Sequence, residues 1–455
     1  MTKIHTLLLL CLFALVLPVA GQEAEFKKIK ESWTLRADGS QVYRHMKVLT
    51  LYTHTAMNRT YGESFITYDP RYQTLEIHES YTRQKDGNIV KTPDNAFVEV
   101  LPAAAANAPA FNALREMVVV HTGLELGATV YLDYSITSKP GYLPEINVCR
   151  QLEQSSPVKE YEISITVPQG QRLEYALDNL KSKPLVTEKE GMKQVSWVLK
   201  NLPALSREPQ VSVIGGELPL LTATTEQKPM AFLSAQWERE ADARLRTLAG
   251  KLTAGAKSDE EKVKALHSYV IDNLYYSPLP LSETAYRIRP TAEVLRSAYA
   301  TEAEKANLLA ALLRAAGLKA EIGAVCVPSA NTASLGMGSI RELFVWTEAG
   351  GRQQALSLKG KTPSAVSWQK DHAYVAMLTQ PFELNLPSAA LNKEYTLQPD
   401  KAKAKDGYLV HSYDLPNNWA IITGNFEAGA VIASYYQPHS SALLWYRGAG
   451  TVYNR

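Results

Sequence analysis

This sequence of 455 residues contains few cysteines and few long apolar segments, and neither sign of charge is in clear excess. Three cysteines are too few for a small scaffold held together by disulfide bonds. Lysine and arginine (48) nearly balance aspartate and glutamate (46), without a basic run, so we expect no nucleic-acid partner. With 45% hydrophobic residues, the chain is long and apolar enough to form two or three globular domains.

The longest apolar run lies at the start of the chain, over residues 7–17, with Lys3 before it and small residues up to Gly21 after it. Such a run is too short to cross about 30 Å of hydrocarbon. The pattern therefore predicts a secretory signal that is cleaved near Gly21, and an uncleaved anchor is the alternative. No later segment is apolar enough to span a bilayer, so we expect no transmembrane segment in the mature chain and a periplasmic or extracellular location.

Two cysteines, Cys149 and Cys326, remain after the predicted cleavage. In an oxidising compartment they could form one disulfide, provided that their Cα atoms come within about 7 Å of each other. Two buried thiols are the default expectation.

The region after the signal has the pattern of antiparallel β-strands. Apolar and polar residues alternate perfectly over residues 160–167, which is typical of a half-buried strand. The pairs Asp38-Gly39 and Asp86-Gly87 stand between apolar runs and favour tight hairpins. This region predicts a β-sandwich of about 200 residues.

Helical periodicity then replaces the alternation. Ser258 with Glu261, and Thr301 with Glu304, form two predicted capping boxes, each at the start of an amphipathic helix. Short strands follow the second helix, which predicts a small α+β domain. We place the boundaries of the signal, the β-sandwich, the α+β domain and a C-terminal β-rich region at 1–21, 22–229, 230–378 and 379–455.

Two segments of the α+β region resemble the bacterial transglutaminase-like superfamily. Residues 262–276 resemble the helix that opens such domains. Residues 289–309 read RPTAEVLRSAYATEAEKANLL, where the superfamily typically has R-P-x-x-x-L-x-x-G-Y-G-D-C-K-D-K-A-x-L-L. The preceding region, at residues 68–75 and 124–127, resembles the all-β domain of unknown function that often precedes such modules in secreted bacterial proteins. The resemblance implies a papain- or transglutaminase-like α+β fold.

The superfamily's chemistry implies three catalytic positions. Its nucleophile is a cysteine at a helix start, a histidine on a neighbouring strand keeps the thiol deprotonated, and an acidic residue orients the imidazole. Alignment places Glu302 at the nucleophile position and Glu342 at the histidine position. Ser357 stands near the position of the acid. The resemblance thus predicts a degenerate site without catalytic residues, metal or cofactor.

The exchanged residues allow two interpretations. Glu302 could serve only as a helix-start carboxylate that interacts favourably with the helix dipole. If the fold is kept, however, Glu302 and Glu342 lie close together and could share a proton, bind a cation or receive an amine or guanidinium from a partner. Tyr299 and Trp346 are candidate residues of the accompanying groove, although the strand pattern around Trp346 favours a core position.

The expected function is a non-catalytic binding or assembly protein of the cell envelope, with a protein or peptide as ligand. The alternative is an active cysteine-type transglutaminase, protease or amidase with relocated catalytic residues, for which Cys326 and His372 are the candidate pair. A purely structural accessory with a filled groove and a hydrolase that uses two carboxylates are further alternatives.

Overall fold

The computed structural model describes residues 22–205, 218–228, 230–327 and 329–360, and the backbone of seven further strands between residues 374 and 454. The predicted signal sequence and His372 lie outside the described residues.

The first part of the chain is built from strands β1 to β14. Their bounds are Ala24–Leu35, Gln41–Leu51, Glu63–Tyr68, Gln73–Arg83, Ile89–Lys91, Phe97–Val100, Arg115–Val120, Thr129–Ser138, Asn147–Gln151, Val158–Pro168, Glu174–Asp178, Leu185–Lys189, Met192–Leu202 and Leu220–Thr224. They form an eight-stranded sheet in the order β12-β13-β10-β1-β2-β8-β4-β5 and two three-stranded sheets, β3-β7-β6 and β11-β14-β9. The predicted β-rich architecture is confirmed.

One strand pair departs from the predicted antiparallel arrangement. Strands β1 and β10 pair in parallel, from Phe26 opposite Val158 to Thr34 opposite Thr166. A parallel pair needs a long crossover between its strands, and here most of the first part of the chain lies between β1 and β10. Alternation within each strand cannot reveal such a pairing, because the burial of side chains is the same in both directions.

The alternation in β10 has the predicted consequence. Tyr161, Ile163, Ile165 and Val167 are all buried, whereas the polar residues between them are only partly buried. Burial of such side chains, at about 25 cal/mol per Å² of apolar surface, holds this sheet against its neighbours. The Asp-Gly pairs also form the expected turns, where Gly39 and Gly87 adopt positive φ angles of 82° and 92°.

Where the structure describes it, the second part contains five α-helices and six strands. The helices α1 to α5 are Ala231–Ser234, Ala243–Thr253, Asp259–Asn273, Thr291–Ser297 and Glu302–Ala315, and the strands β15 to β20 are Tyr275–Tyr276, Tyr299–Ala300, Ala320–Cys326, Ile340–Ala349, Arg352–Ser357 and Tyr374–Met377. Strands β19-β18-β17-β20 form an antiparallel sheet. Helix α5 is buried along most of its length and packs against this sheet, α2 and α3. The predicted α+β architecture of this part is confirmed.

The two predicted helix caps differ in detail. Thr301 and Glu304 form the complete capping box at α5, in which each side chain accepts a hydrogen bond from the other residue's backbone N–H. At α3, Ser258 accepts a hydrogen bond from the N–H of Glu261. Glu261, however, accepts from the backbone of Lys257, one residue before the cap. The predicted hydrogen bond from the N–H of Ser258 to Glu261 is therefore replaced by one from the N–H of Lys257.

The C-terminal part is a β meander. Strands β21 to β26 are Ala402–Lys405, Tyr408–Leu415, Asn418–Asn425, Ala430–Gln437, Ser440–Arg447 and Val452–Asn454, and each pairs antiparallel with the next. The predicted small β-rich C-terminal region is confirmed. Within the described ranges, no helix combines the length and the apolar character needed to cross a bilayer.

The first two parts contact each other around Tyr299. This side chain is buried in a small apolar cluster with Leu114 of the first part and Leu279 of the second. Its hydroxyl oxygen accepts a hydrogen bond of 2.7 Å from the backbone N–H of Ala110. Arg287 adds hydrogen bonds to the carbonyls of Gly141 and Tyr142. The loop before α4 is thereby held against the β-rich part.

Candidate functional site

Glu302 links the start of α5 to the neighbouring sheet. It is the first residue of the helix, directly after the cap residue Thr301. Its Oε1 accepts a hydrogen bond of 2.8 Å from the backbone N–H of Leu343 on β18, and its Oε2 lies 3.4 Å from the Nζ of Lys359. The carboxylate thus combines a favourable position at the positive end of the helix dipole with two contacts outside the helix.

Glu342 stands beside this contact, one residue before Leu343. Its side chain is partly buried, and burial is the main cause that raises the pKa of its carboxyl to about 7. The positive charge of Lys359 opposes this increase, and the negative charge of Glu302 adds to it. Within the described residues, Glu342 has no hydrogen bond or salt bridge at contact distance, so its carboxyl is available to a ligand.

Lys359 is the third charged residue of the site, and no motif in the sequence singles it out. Strand β18 pairs with β19 so that Phe344 is opposite Ser357, and continuing this register places Lys359 opposite Glu342. Burial lowers the pKa of Lys359, but the charges of Glu302, Tyr276 and Glu342 outweigh it and raise the pKa above its usual value. The only signal in the sequence was its position two residues after Ser357.

Ser357, at the predicted acid position, has a structural environment. Its side chain is buried, and its Oγ accepts a hydrogen bond of 3.2 Å from the backbone N–H of Lys359. Its carbonyl oxygen accepts a hydrogen bond of 2.6 Å from Nε2 of His267 on α3. Burial lowers the pKa of His267, and the bond from its imidazole holds the end of β19.

A cavity of about 250 Å³ lies in front of Glu302 and Glu342. Its other walls come from the loop before α4 and from the turn before β18. They include the apolar side chains Leu279, Leu281, Met337, Ile340 and Leu343 and the rings of Tyr276 and Tyr286. Arg341 also lines the cavity, and its Nη2 donates a hydrogen bond to the Sγ of Cys149, 3.3 Å away.

The two other predicted groove residues lie elsewhere. Tyr299 is buried at the contact with the first part of the chain, where its hydroxyl binds Ala110. Trp346 lies on β18 between Glu321 and Ala355 of the adjacent strands, and it is partly exposed. Neither is among the described residues that line the cavity. The loop before α4 covers Tyr299, and Trp346 is four residues further along β18 than Glu342.

Neither described cysteine has the environment of a nucleophile. Both are free thiols, as expected. Cys326 is completely buried in β17, and burial raises the pKa of its thiol to about 12. Cys149 is only partly buried, contrary to expectation, and burial also raises the pKa of its thiol. Neither thiol lies at a helix start, where the dipole would stabilise a thiolate.

An ion pair that the sequence analysis missed fixes the start of α5. Arg289 Nε donates to Glu304 Oε1 at 2.7 Å and Nη2 donates to Oε2 at 2.8 Å, in the bidentate geometry that is strongest for such pairs. Glu304 is fully buried, and Arg289 also donates to the carbonyl of Tyr299. The only sequence signal for this contact was the Arg289-Pro290 pair, which the resemblance aligned with the R-P of the superfamily pattern.

Helix α5 is thus a buried helix that begins against an antiparallel sheet, with its first side chain bound to strand β18. Residues 246–378 match the family model described as the transglutaminase-like superfamily, and residues 37–206 match a domain of unknown function, DUF3857. The chain is also similar to a crystal structure from Parabacteroides distasonis ATCC 8503 that is described as a putative protease. The two share 36% identity over 92% of this chain and 95% of that one, with a TM-score of 0.75. The chain therefore belongs to the transglutaminase-like superfamily.

Other comparisons add no argument. An M1 zinc metallopeptidase from Deinococcus radiodurans shares 12% identity over 65% of this chain and 64% of that one, with a TM-score of only 0.21. A search of curated proteins found no match.

Proposed function

We propose that this protein is a non-catalytic binding protein of the cell envelope that holds a peptide or protein segment in the cavity beside Glu302. One observation supports this proposal most directly: the carboxylate of Glu302 accepts a hydrogen bond from the backbone of Leu343 and forms an ion pair with Lys359. At the helix start, where the superfamily has its nucleophilic thiol, this chain has a carboxylate engaged in contacts that join helix and sheet. A carboxylate is a weak nucleophile and a good leaving group, so it is poorly suited to attack an amide.

The cavity suggests the chemistry of the ligand. Arg341 is directed to Cys149 and Lys359 to Glu302, which leaves Glu342 as the described carboxyl without a contact partner. The surrounding walls are largely apolar or aromatic. A lysine or arginine side chain suits this combination, because its aliphatic part packs on apolar walls and its cationic end pairs with the ionised carboxylate.

The proposed location in the envelope rests on the predicted signal sequence at residues 1–21. With it, we propose the division of the mature chain into domains at residues 22–229, 230–378 and 379–455. Mass spectrometry of the secreted protein would test the cleavage, and a mature chain that still contains residues 1–21 would contradict it.

The binding experiment compares two short peptides of the same sequence, one with a central lysine and one with norleucine at that position. Isothermal titration calorimetry with the mature chain should detect binding of the lysine peptide. The norleucine peptide should bind with much lower affinity. Affinity should rise about tenfold from one pH unit below to one unit above the Glu342 pKa of about 7, because the carboxyl must ionise to pair with the amine.

Glu342→Gln should abolish both the preference for lysine and the pH dependence. Glu348→Gln is the matched control, since Glu348 lies on the same strand but contacts Lys319 outside the cavity. Equal binding of the two peptides, or an unchanged pH profile in Glu342→Gln, would contradict the proposed ligand chemistry.

A catalytic function is the second candidate, because the similar crystal structure is described as a putative protease. It requires relocated catalytic residues, with Cys326 as the described thiol of the domain. Incubation of the mature chain with generic peptide substrates, followed by mass spectrometry, should show neither hydrolysis nor cross-linking. Turnover that is lost in Cys326→Ala would establish the enzyme and overturn the non-catalytic proposal.

A further inference from the structure

A second and larger cavity, of about 590 Å³, lies in the β-rich part. Strands β1, β2, β8 and β10 of the eight-stranded sheet form its floor, and β3 of a three-stranded sheet faces them. Ser282, Glu283 and Tyr286 from the loop before α4 close one side. Its volume lies within the range of small-molecule sites, which is about 300–1,000 Å³.

Aromatic side chains form much of the cavity wall. Seven rings line it: Trp33, Tyr43, Phe65, Tyr68, Tyr134, Tyr161 and Tyr286. The rings of Trp33 and Tyr43 lie 5.3 Å apart, and Tyr43 meets Tyr134 edge to face at 6.2 Å. Phe65 keeps 59% of its surface exposed. The guanidinium of Arg150 lies 5.7 Å from the centroid of the Trp33 ring, and the ring faces of the wall that remain uncovered are apolar surfaces for a ligand.

The charged group at the floor of the cavity is already neutralised by the protein. Glu31 is 2% exposed, and its Oε1 accepts hydrogen bonds from Tyr43 at 2.5 Å and from Arg150 at 2.9 Å. His45 lies 3.2 Å from the same oxygen, and Tyr161 donates to Oε2 at 2.5 Å. With four partners around it, this carboxylate has little remaining capacity for a cationic ligand.

The other charges disfavour an anionic ligand. Besides Glu31, the acids Glu145 and Glu283 line the cavity. Arg150 is the only arginine among the described residues of this lining. Burial raises the pKa of Glu283, and its Oε2 is buried with no hydrogen-bond partner among the described residues. A ligand carboxylate would therefore meet more acidic than basic groups in this lining, which disfavours its binding.

The remaining polar groups of the lining are uncharged. They are the amides and hydroxyls of Gln41, Thr67, Gln73, Ser138, Asn147, Gln154 and Ser282. Amides and hydroxyls can both donate and accept, so they match a ligand with many hydroxyl groups. A neutral ligand that carries several hydroxyl groups on a ring with apolar faces suits this lining.

We propose that this cavity is a binding site for a neutral saccharide. The sugar ring lies on the aromatic wall that includes Trp33 and Tyr43, and its hydroxyls bond to the amides and hydroxyls of the lining. The proposal does not rest on the peptide-binding function, because it concerns a different cavity, which shares only Ser282 and Tyr286 with the cavity beside Glu302.

The test uses the mature chain and ligand-observed NMR at millimolar sugar concentrations. Maltose, cellobiose and N,N′-diacetylchitobiose are the neutral probes, glucuronate is the anionic probe and glucosamine the cationic one. At least one neutral disaccharide should show saturable binding, and both charged probes should bind at least about tenfold more weakly. The proposal is overturned if no neutral probe binds, or if a charged probe binds as tightly.

Variants then locate the site. Trp33→Ala should weaken the binding of the neutral probe more than about tenfold. Trp346→Ala is the matched control, because this partly exposed tryptophan is absent from the described lining of both cavities, and it should bind like the wild type. If Trp33→Ala does not fold, the same binding measurement is made on Thr67→Val, which removes one lining hydroxyl with little change in side-chain volume. This variant should also bind the neutral probe more weakly than the wild type. Equal binding by wild type and the folded lining variant would place the sugar elsewhere and refute the proposal.

Discussion

Each of the two cavities described above is lined by a glutamate on an inner strand of a β-sheet, but the two carboxyls have different surroundings. Burial acts to raise the pKa of Glu31, yet Arg150 and His45 outweigh it and hold the pKa at about 2. Glu342 is less deeply buried but has no direct partner among the described residues, and its pKa rises to about 7. The residue type is the same, so the opposite directions of the two pKa shifts come from the groups around each carboxyl.

This contrast separates a structural carboxylate from an available one. The hydrogen bonds of Glu31 join strands β1, β2 and β10, and breaking them would leave buried partners unsatisfied. Glu342 gives the fold no comparable contact among the described residues. A group whose burial is costly and not compensated by the protein is a candidate for a binding role, because a ligand can supply the missing partner.

The largest expected effect comes from Glu31→Ala. The substitution leaves the charge of Arg150 and the hydroxyls of Tyr43 and Tyr161 without their acceptor, so it should lower the free energy of unfolding by about 3–5 kcal/mol. Urea denaturation followed by circular dichroism measures the change.

Glu162→Ala is the control on the same sheet. Its partners Lys28 and Lys30 are considerably exposed, so the loss should stay below about 1 kcal/mol. A similar loss for both variants would mean that the network around Glu31 contributes no more than a surface ion pair.

Glu342→Gln should have an effect that depends on pH. In the wild type the pKa of this carboxyl is about 7 in the fold and near 4.5 when unfolded, so its contribution to stability is lost as pH rises from 4.5 to 7. The glutamine variant lacks this loss and should be more stable than the wild type by about 2 kcal/mol above pH 7. Thermal melting across this pH range checks it, and parallel curves for the two proteins would show that the neighbours of Glu342 compensate its charge.

The smallest change in stability is expected for a substitution of Lys47 in the β-rich part. The protein compensates the buried charge of this lysine only incompletely. Burial lowers the pKa of Lys47 to about 8, and its Nζ donates to the Oγ of Ser64 at 2.7 Å. Lys47→Met should stabilise the protein at neutral pH by about 1–2 kcal/mol. The advantage should fade between pH 8 and the ordinary lysine pKa of 10.5, because deprotonation removes the penalty from the wild type. Chemical denaturation at the two pH limits measures it, and a destabilised variant would show that the bond to Ser64 outweighs desolvation.

Local sequence signals predicted the elements of the site better than its contacts. The capping box of Thr301 and Glu304 located the start of α5, and the resemblance placed Glu302 and Glu342 on facing elements. It did not identify Lys359, since the pairing of β18 with β19 determines which residue lies opposite Glu342. It also placed Tyr299 in the groove, although the backbone of Ala110, far away in the sequence, engages its hydroxyl.

Local patterns in the sequence were enough to predict the β-rich and α+β parts and the positions of the helix starts. These properties depend on periodicity and capping, which act between residues a few positions apart. The parallel pairing of β1 with β10 and the ion pair of Arg289 with Glu304 become visible only in the folded molecule. The same is true of the donors that surround Glu31 and, among the described residues, are missing around Glu342. Those outcomes depend on which distant segments meet, and the free energy of a buried charge is set by the groups it meets there.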